Sequence, residues 1–296
     1  MFNILTLNKI SKNGLDRLDS TLFTCGDAIE NPDAILFRSA SMHEMELSEN
    51  TVAIARAGAG VNNIPIPACS DKGVVVFNTP GANANAVKEL VICALLLASR
   101  DIIGGAKWAD TLKSEGDAVG KLVEKGKSNF AGQEIIGKTL GVIGLGAIGV
   151  LVANAAVHLG MEVYGYDPYL SVDAAWKLSR NIQYAKTLEE IYKECDYIAV
   201  HVPALDSTKG MISKEAISLM KDGVIVLNFA RDVLVDEVAL LEALEVGKVK
   251  ICVDTEQDIK VTVAGEKYYD ICSTQYKEGK EIHRIGDSLE FEIVEE

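Results

Sequence analysis

Short apolar runs alternate with helical stripes along most of this chain. Residues 3–7, 34–38, 52–56 and 74–77 are compact runs of Ile, Leu, Val, Ala and Phe, separated by the turn-forming clusters Asn31-Pro32-Asp33, Gly58-Ala59-Gly60, Asp71-Lys72-Gly73 and Asn78-Thr79-Pro80-Gly81. Runs of this length between such turns predict strands, and their alternation with helical pieces predicts a small parallel α/β unit. Between Asn85 and Arg100 the apolar residues Val87, Leu90, Val91, Ala94, Leu95 and Ala98 recur at helical spacing, so one long helix is expected there. Strand and helix signals then alternate again, with strands expected at 140–143, 162–167, 197–202, 224–229 and 248–254. Thr187-x-x-Glu190 reads as a capping box that opens a helix, and Asp236 opens another that Gly247 stops. Such a series predicts an α/β fold built on a doubly wound parallel sheet.

Two stretches depart from this rhythm. Residues 104–134 are polar and mixed, with Trp108, Leu112, Leu122, Val123 and Phe130 as scattered anchors. An arm that packs on a second subunit is expected, with a solvated linker as the alternative. Near the end of the sequence Leu289, Phe291 and Ile293 alternate with Glu290 and Glu292, and Val261-Thr262-Val263 is also strand-like, so a small antiparallel meander is expected. The expected division is a first, substrate-binding domain over residues 1–96, which residues 262–296 could complete, and a dinucleotide-binding domain over residues 97–261.

Composition narrows the class. A chain of 296 residues, 48% hydrophobic and 24% charged, fits two globular domains with their own cores. Its net charge of -14 argues against nucleic acid and against an anionic membrane surface as partners. Any anionic ligand therefore needs a locally basic pocket. The six cysteines (Cys25, Cys69, Cys93, Cys195, Cys252 and Cys272) form no CxxC pair and lack zinc-site spacing, which suggests reduced thiols in a cytoplasmic protein and no bound metal. The N-terminus has no basic n-region and no apolar run reaches the length of a span, so neither a signal peptide nor a membrane anchor is expected.

Candidate chemistry begins where the apolar run 140–143 ends in Gly144-x-Gly146-x-x-Gly149. Gly144 allows the tight turn, Gly146 lets backbone N–H groups approach a pyrophosphate, and Gly149 lets the next helix sit close to its strand. Ala147 and Ile148 complete that helix N-terminus, where an anion is favoured. Asp167 ends the following strand and is placed to accept hydrogen bonds from an adenosine ribose while repelling a 2′-phosphate, which favours NAD over NADP. Two further strand ends carry reactive residues: His201-Val202-Pro203, and the segment from Asn228 to Asp236 with Arg231. Hydride transfer from a hydroxy acid needs a guanidinium for the carboxylate, an acid/base for the hydroxyl proton and a carboxylate to orient that base. Arg231 suits the first role.

The segment Arg56-Ala-Gly-Ala-Gly-Val-Asn-Asn-Ile64, Asn78-Thr-Pro-Gly, residues 83–90, the glycine loop with Asp167, His201-Val-Pro and Asn228-Phe-Ala-Arg-Asp together resemble the D-2-hydroxyacid dehydrogenase family over roughly residues 1–255. The resemblance implies a Rossmann-type NAD domain, a smaller flavodoxin-like α/β substrate domain, NAD as cofactor and a homodimer. It places Arg231 on the substrate carboxylate, Gly58, Ala59 and Gly60 at its backbone-recognition loop, and Asn83 near the hinge. His201, Val202, Pro203, Ala230 and Asp254 are implied to line the cofactor cleft. Arg38 and Arg56 match basic positions near the substrate and favour a phosphorylated acid, 3-phosphoglycerate, although either could be a structural ion-pair partner.

The tail departs from the family, in which a Pro-His pair and a returning helix are expected. His283, in Glu281-Ile-His-Arg-Ile-Gly-Asp-Ser288, is the candidate acid/base, with a solvated histidine on a strand as the alternative. Glu256, and after it Asp258, is the candidate orienting carboxylate. The expected reaction is NAD-dependent oxidation of a D-2-hydroxy acid. Reduction of glyoxylate or hydroxypyruvate is the alternative within the class, and a non-catalytic NAD-binding protein is the alternative outside it.

Overall fold

A computed structural model of the chain describes residues 1–250 and the strand backbones at 251–253, 268–270, 273–277, 280–285 and 289–292. It divides into two compact units, Met1–Asn83 and Ala84–Glu296.

The first unit contains β1 (Phe2–Leu7), α1 (Lys12–Leu15), β2 (Phe23–Gly26), β3 (Ala34–Phe37), β4 (Ala53–Arg56), α2 (Ile66–Asp71) and β5 (Val75–Phe77). Its five strands are parallel in the order β2-β1-β3-β4-β5, which is the flavodoxin-like arrangement expected. Alternate positions along the strands fill one core: Leu5, Ile35, Phe37 and Ile54 are buried there beside Met42, Leu47 and Cys69. Strand β2 has no counterpart in the sequence reading, because Phe-Thr-Cys-Gly is too short and too mixed to show a period of two.

The second unit opens with α3 (Ala84–Ser99), α4 (Ile102–Thr111) and α5 (Val119–Gly126), and continues through β6 (Thr139–Ile143), α6 (Ala147–His158), β7 (Glu162–Tyr166), α7 (Val172–Lys177), β8 (Ile182–Tyr184) and α8 (Leu188–Glu194). It then runs through β9 (Tyr197–Val200), α9 (Lys214–Leu219), β10 (Val224–Asn228), α10 (Glu237–Glu245), β11 (Val249–Val253) and β12 (Tyr268–Asp270). The sheet order is β12-β11-β10-β9-β6-β7-β8, all parallel, which is the doubly wound Rossmann order with one strand added at an edge. One face is covered by a core that includes Val91, Leu95, Val152, Ala153 and Ala156 of α3 and α6; the other includes Ile191, Ile217, Leu240 and Leu244 of α8, α9 and α10. Leu140, Val142 and Ile143 of β6 lie between these layers with no exposed surface, each contributing about 1.5–3 kcal/mol of burial.

The division between the compact units falls at Asn83/Ala84, before α3. The reason is packing. The face Val91, Ala94, Leu95 and Ala98 is buried in the same core as α6, and Ser99 Oγ at the helix end lies 2.8 Å from the Tyr197 hydroxyl of β9.

The stretch 104–134 contains more helix than its composition suggested. Helices α4 and α5 fold on one another around Trp108 and Phe130, whose ring centroids are 5.2 Å apart. A methyl group on Gly126 would run into the Trp108 ring, so the glycine is what lets α5 lie this close to α4. Beyond β12, strands β13 (Ser273–Lys277), β14 (Lys280–Ile285) and β15 (Leu289–Glu292) pair antiparallel, which is the meander expected of the tail. The expected strand at 261–263 lies outside the described residues. No helix among the described residues is long and apolar enough to cross a membrane.

Candidate active site

The helix after β6 enters one core and the helix after β9 enters the other, so the carboxyl ends of these two neighbouring strands form the topological switch point of the sheet. Gly144 turns the chain there with φ 90, a left-handed value that disfavours a side chain. Its N–H donates to the Tyr166 carbonyl at 2.9 Å, and an added methyl would strike the His201 carbonyl. A methyl on Gly149 would overlap the Gly144 carbonyl oxygen, which is the close approach between loop and helix that the motif implied. Nothing stands within 4 Å in front of Gly146, on the open side of the turn.

Four neighbouring helices are capped by a side chain: α7 by Ser171, α8 by Thr187, α9 by Ser213 and α10 by Asp236. Helix α6 begins at Gly146 with no side-chain cap, leaving the first-turn N–H groups around Ala147, Ile148 and Gly149 to an anion. Asp167 receives two backbone donors, Leu145 N–H at Oδ2 and Tyr169 N–H at Oδ1, both at 2.8 Å. Each carboxylate oxygen keeps acceptor capacity for a ribose hydroxyl. An open glycine turn, an uncapped helix start and a fixed acid fit a dinucleotide. Asp167→Ala is expected to shift the ratio of NADH to NADPH affinity toward NADPH by about 10- to 100-fold, the size of a lost charge-assisted hydrogen bond. An unchanged ratio in titrations of both cofactors would remove Asp167 from the ribose site.

His201 N–H donates to the Ile143 carbonyl at 2.8 Å, and both ring nitrogens are buried without a partner among the described residues. Burial pushes the imidazole down to about 4, so it is neutral at neutral pH. Because the unfolded chain takes up this proton first, folding stability falls as pH drops from about 6.5 toward 4, by about 3 kcal/mol from this group. His201→Gln is expected to flatten that part of the profile, and superimposable denaturation curves across this window would contradict it. The loop beyond is held by Thr208, whose hydroxyl donates to Pro203 O at 2.6 Å and accepts from Leu205 N–H at 2.9 Å.

Arg231 follows β10 at the same end of the sheet, three residues past Asn228, and is exposed. Its Nη1 donates to Ala230 O at 2.8 Å. Asn228 is buried beneath it, with Nδ2 donating to Arg231 O at 2.8 Å and Oδ1 accepting from Ala230 N–H at 3.2 Å.

In the first unit, Arg56 spends its donors locally. Nε donates to Arg38 O at 3.0 Å, and Nη1 donates to Gly60 O and to Asn62 Oδ1. It therefore braces the loop that carries Gly58, Ala59 and Gly60, while Asn78 Nδ2 holds Ala59 O at 2.8 Å. Arg38 is exposed, and its guanidinium makes no hydrogen bond or ion pair among the described residues. The sequence reading missed Asn8. It takes φ 67 after β1, and its Oδ1 accepts from Ser39 and Ala40 N–H, tying the loops after β1 and β3 at this sheet's own switch point. Asn83 is exposed at the end of the unit.

The other histidines are dispersed. His43 Nε2 lies 2.8 Å from Asn62 O, and His158 is exposed on α6. His283 lies on the central strand of the meander, where it pairs with Thr274 and Phe291. Glu256, Asp258 and Asp254 lie outside the described residues. Of the four cysteines described, Cys69 and Cys195 are buried, Cys25 is half-buried and Cys93 is exposed, all as free thiols.

Sheet order, glycine loop and paired acid define a dinucleotide-binding α/β protein. The sequence pattern described as D-isomer specific 2-hydroxyacid dehydrogenase, NAD binding domain, matches residues 93–259; the chain belongs to this family, and its second unit carries the NAD-binding domain. It is similar to the D-3-phosphoglycerate dehydrogenase of Methanocaldococcus jannaschii, 37% identical over 227 residues that cover 76% of this chain and 41% of that protein. It is also similar to the hydroxypyruvate reductase of Thermotoga maritima, 39% identical over 224 residues, 75% of this chain and 68% of that protein. The chain thus spans about two-fifths of the length of such phosphoglycerate dehydrogenases. Among solved structures, the NAD+-bound 3-phosphoglycerate dehydrogenase of Entamoeba histolytica superposes with a TM-score of 0.68 at 26% identity, covering 88% of this chain and 82% of its own. The D-lactate dehydrogenase of Aquifex aeolicus, complexed with NAD and lactic acid, gives a TM-score of 0.63 at 27% identity, covering 86% and 77%.

Proposed function

We propose that the chain is an NAD-dependent D-2-hydroxyacid dehydrogenase that oxidises 3-phosphoglycerate to 3-phosphohydroxypyruvate, the first reaction of serine synthesis. The observation that carries this reading is Arg231, an exposed guanidinium at the same sheet edge as the glycine loop and Asp167. When bound, NAD supplies the hydride acceptor. Arg231 grips the substrate carboxylate with two charge-assisted hydrogen bonds, and backbone recognition of the substrate is assigned to Gly58, Ala59 and Gly60. Arg38 is the cation assigned to the phosphate, since Arg56 is engaged with its own loop. His283 is assigned the hydroxyl proton and Glu256 the orientation of that imidazole. A cytoplasmic homodimer, joined through the helical arm around Trp108, completes the reading.

Initial rates of NADH formation with 3-phosphoglycerate and with D-glycerate test the substrate. The phosphorylated acid is expected to be favoured at least about tenfold, the value of one extra charge-assisted contact, and Arg38→Ala to abolish the difference. Preference for the plain acid would favour the second reading, a hydroxypyruvate reductase, which the length shared with the Thermotoga maritima relative supports. His283→Ala is expected to lower kcat by about two to four orders of magnitude with NADH affinity intact, and undiminished turnover would exclude it as the base. Binding of NADH with no turnover of any hydroxy acid by the parent chain would mark a non-catalytic NAD-binding protein.

A further inference from the structure

We propose that Asn228 is a positioning residue for Arg231, its side-chain amide fixing the backbone from which the guanidinium reaches the substrate; this rests on the assignment of Arg231 as the carboxylate clamp. Asn228 is the last residue of β10 and is 1% exposed, a polar side chain at the carboxyl end of a strand whose other members are Val, Ile and Leu. Burial of an amide at such a place is unfavourable unless its hydrogen-bonding groups are used. Both ends are used here, and both on the two residues at the reactive turn. Oδ1 takes the Ala230 N–H at 3.2 Å, an Asx-type turn, and Nδ2 gives to the Arg231 carbonyl at 2.8 Å. The amide therefore bridges donor and acceptor on either side of the Arg231 Cα.

The rest of the turn leaves this work to Asn228. Arg231 has extended backbone angles, φ -152 and ψ 144, and among the described residues its side chain hydrogen-bonds the Ala230 carbonyl alone, through Nη1. Leu234 N–H also reaches the Arg231 carbonyl, at 3.3 Å, so the carbonyl that Asn228 holds starts the next turn as well. A shift at residue 231 would be magnified along the long side chain, and a clamp displaced by about 1 Å can lose two orders of magnitude in rate. Aspartate in place of asparagine keeps the acceptor for Ala230 N–H at nearly unchanged volume. It replaces the donor to the Arg231 carbonyl with an oxygen.

The experiment compares Asn228→Asp and Asn228→Ala with the parent, alone and combined with Arg231→Ala. Oxalate binding to the protein–NADH complex, followed by NADH fluorescence, is expected to weaken at least tenfold in Asn228→Asp while NADH affinity stays within twofold. In the Arg231→Ala background the same substitution is expected to change oxalate binding by less than twofold, because its effect passes through the arginine. Equal losses in both backgrounds would overturn the proposal, as would parallel losses of NADH and oxalate. Amide hydrogen exchange of the 229–232 segment in the unliganded protein reads the brace without any ligand. Exchange at least tenfold faster in Asn228→Asp, with the rest of β10 protected, is expected, and unchanged exchange would overturn it. An Arg231→Ala protein that binds oxalate as well as the parent would instead remove the carboxylate-clamp assignment, with the exchange result still deciding whether Asn228 holds this turn.

Discussion

Arg231→Ala is expected to lower kcat/KM for the hydroxy acid by about 10²- to 10⁴-fold while NADH binds within a factor of two of the parent. The estimate follows from geometry. A guanidinium can give a carboxylate two parallel hydrogen bonds, each worth about 1.5–3 kcal/mol when the acceptor is charged, and alanine removes both. The chain has a net charge of -14, so an anionic substrate has little general attraction to rely on and depends on local cations. Lysine should recover only part of the loss, since a single ammonium cannot reproduce the planar fork. Stopped-flow titration of NADH and steady-state rates on the same preparations separate the two effects. Equal losses in both would mean that the turn had collapsed, and no loss in either would place the substrate elsewhere.

Gly149→Ala is expected to reduce NADH affinity at least about 100-fold and to lower the melting temperature as well. The added methyl would overlap the Gly144 carbonyl oxygen, and Gly144 cannot move aside easily. It sits at φ 90 with its N–H donated to Tyr166, and a side chain there would strike His201 and Val202, so little room surrounds it. Overpacking of this kind costs about 1–3 kcal/mol and separates the helix start from the loop that it completes. Gly146→Ala is the informative companion. No atom lies within 4 Å of the added methyl, so the melting temperature should hold while the pyrophosphate is obstructed. If both alanines left cofactor affinity unchanged, this turn would not be the phosphate site.

Local pattern explains why much of this was legible in the sequence. The strand 139–143 is apolar on both faces and ends in a glycine triad, so its burial, its turn and its ligand followed from residue type alone. Asp167 follows from counting along the chain from that triad, and Thr187 from its partner Glu190: Glu190 N–H donates to the Thr187 hydroxyl as a capping box requires, while the Glu190 carboxylate takes the N–H of Lys186, one residue before the cap. What escaped was set by neighbours distant in sequence. Asn8 acts through loops some thirty residues away, and Arg56 is engaged by the carbonyl of Arg38 after β3 and that of Gly60 in its own loop, neither of which a one-dimensional pattern reveals. Helical periodicity in residues 84–99 shows an apolar face without showing what that face covers, so the compact unit that begins at Ala84 is not legible there. The arm was read as mixed because Trp108 and Phe130, far apart in sequence, satisfy each other.

The same limit applies to the acid/base assignment. His283 was selected by its setting, Ile-His-Arg-Ile-Gly, and the structure places its backbone on the middle strand of an antiparallel sheet where the family expectation was a turn before a helix. Its role therefore rests on the rate measurement above, independently of the cofactor site.

Calorimetric titration of the folded protein with NADH tests the central claim most directly. One saturable site per chain is expected, with NADPH at least about tenfold weaker because of the Asp167 carboxylate. A flat titration with both dinucleotides, from protein whose circular dichroism and thermal melt show it folded, would contradict the account.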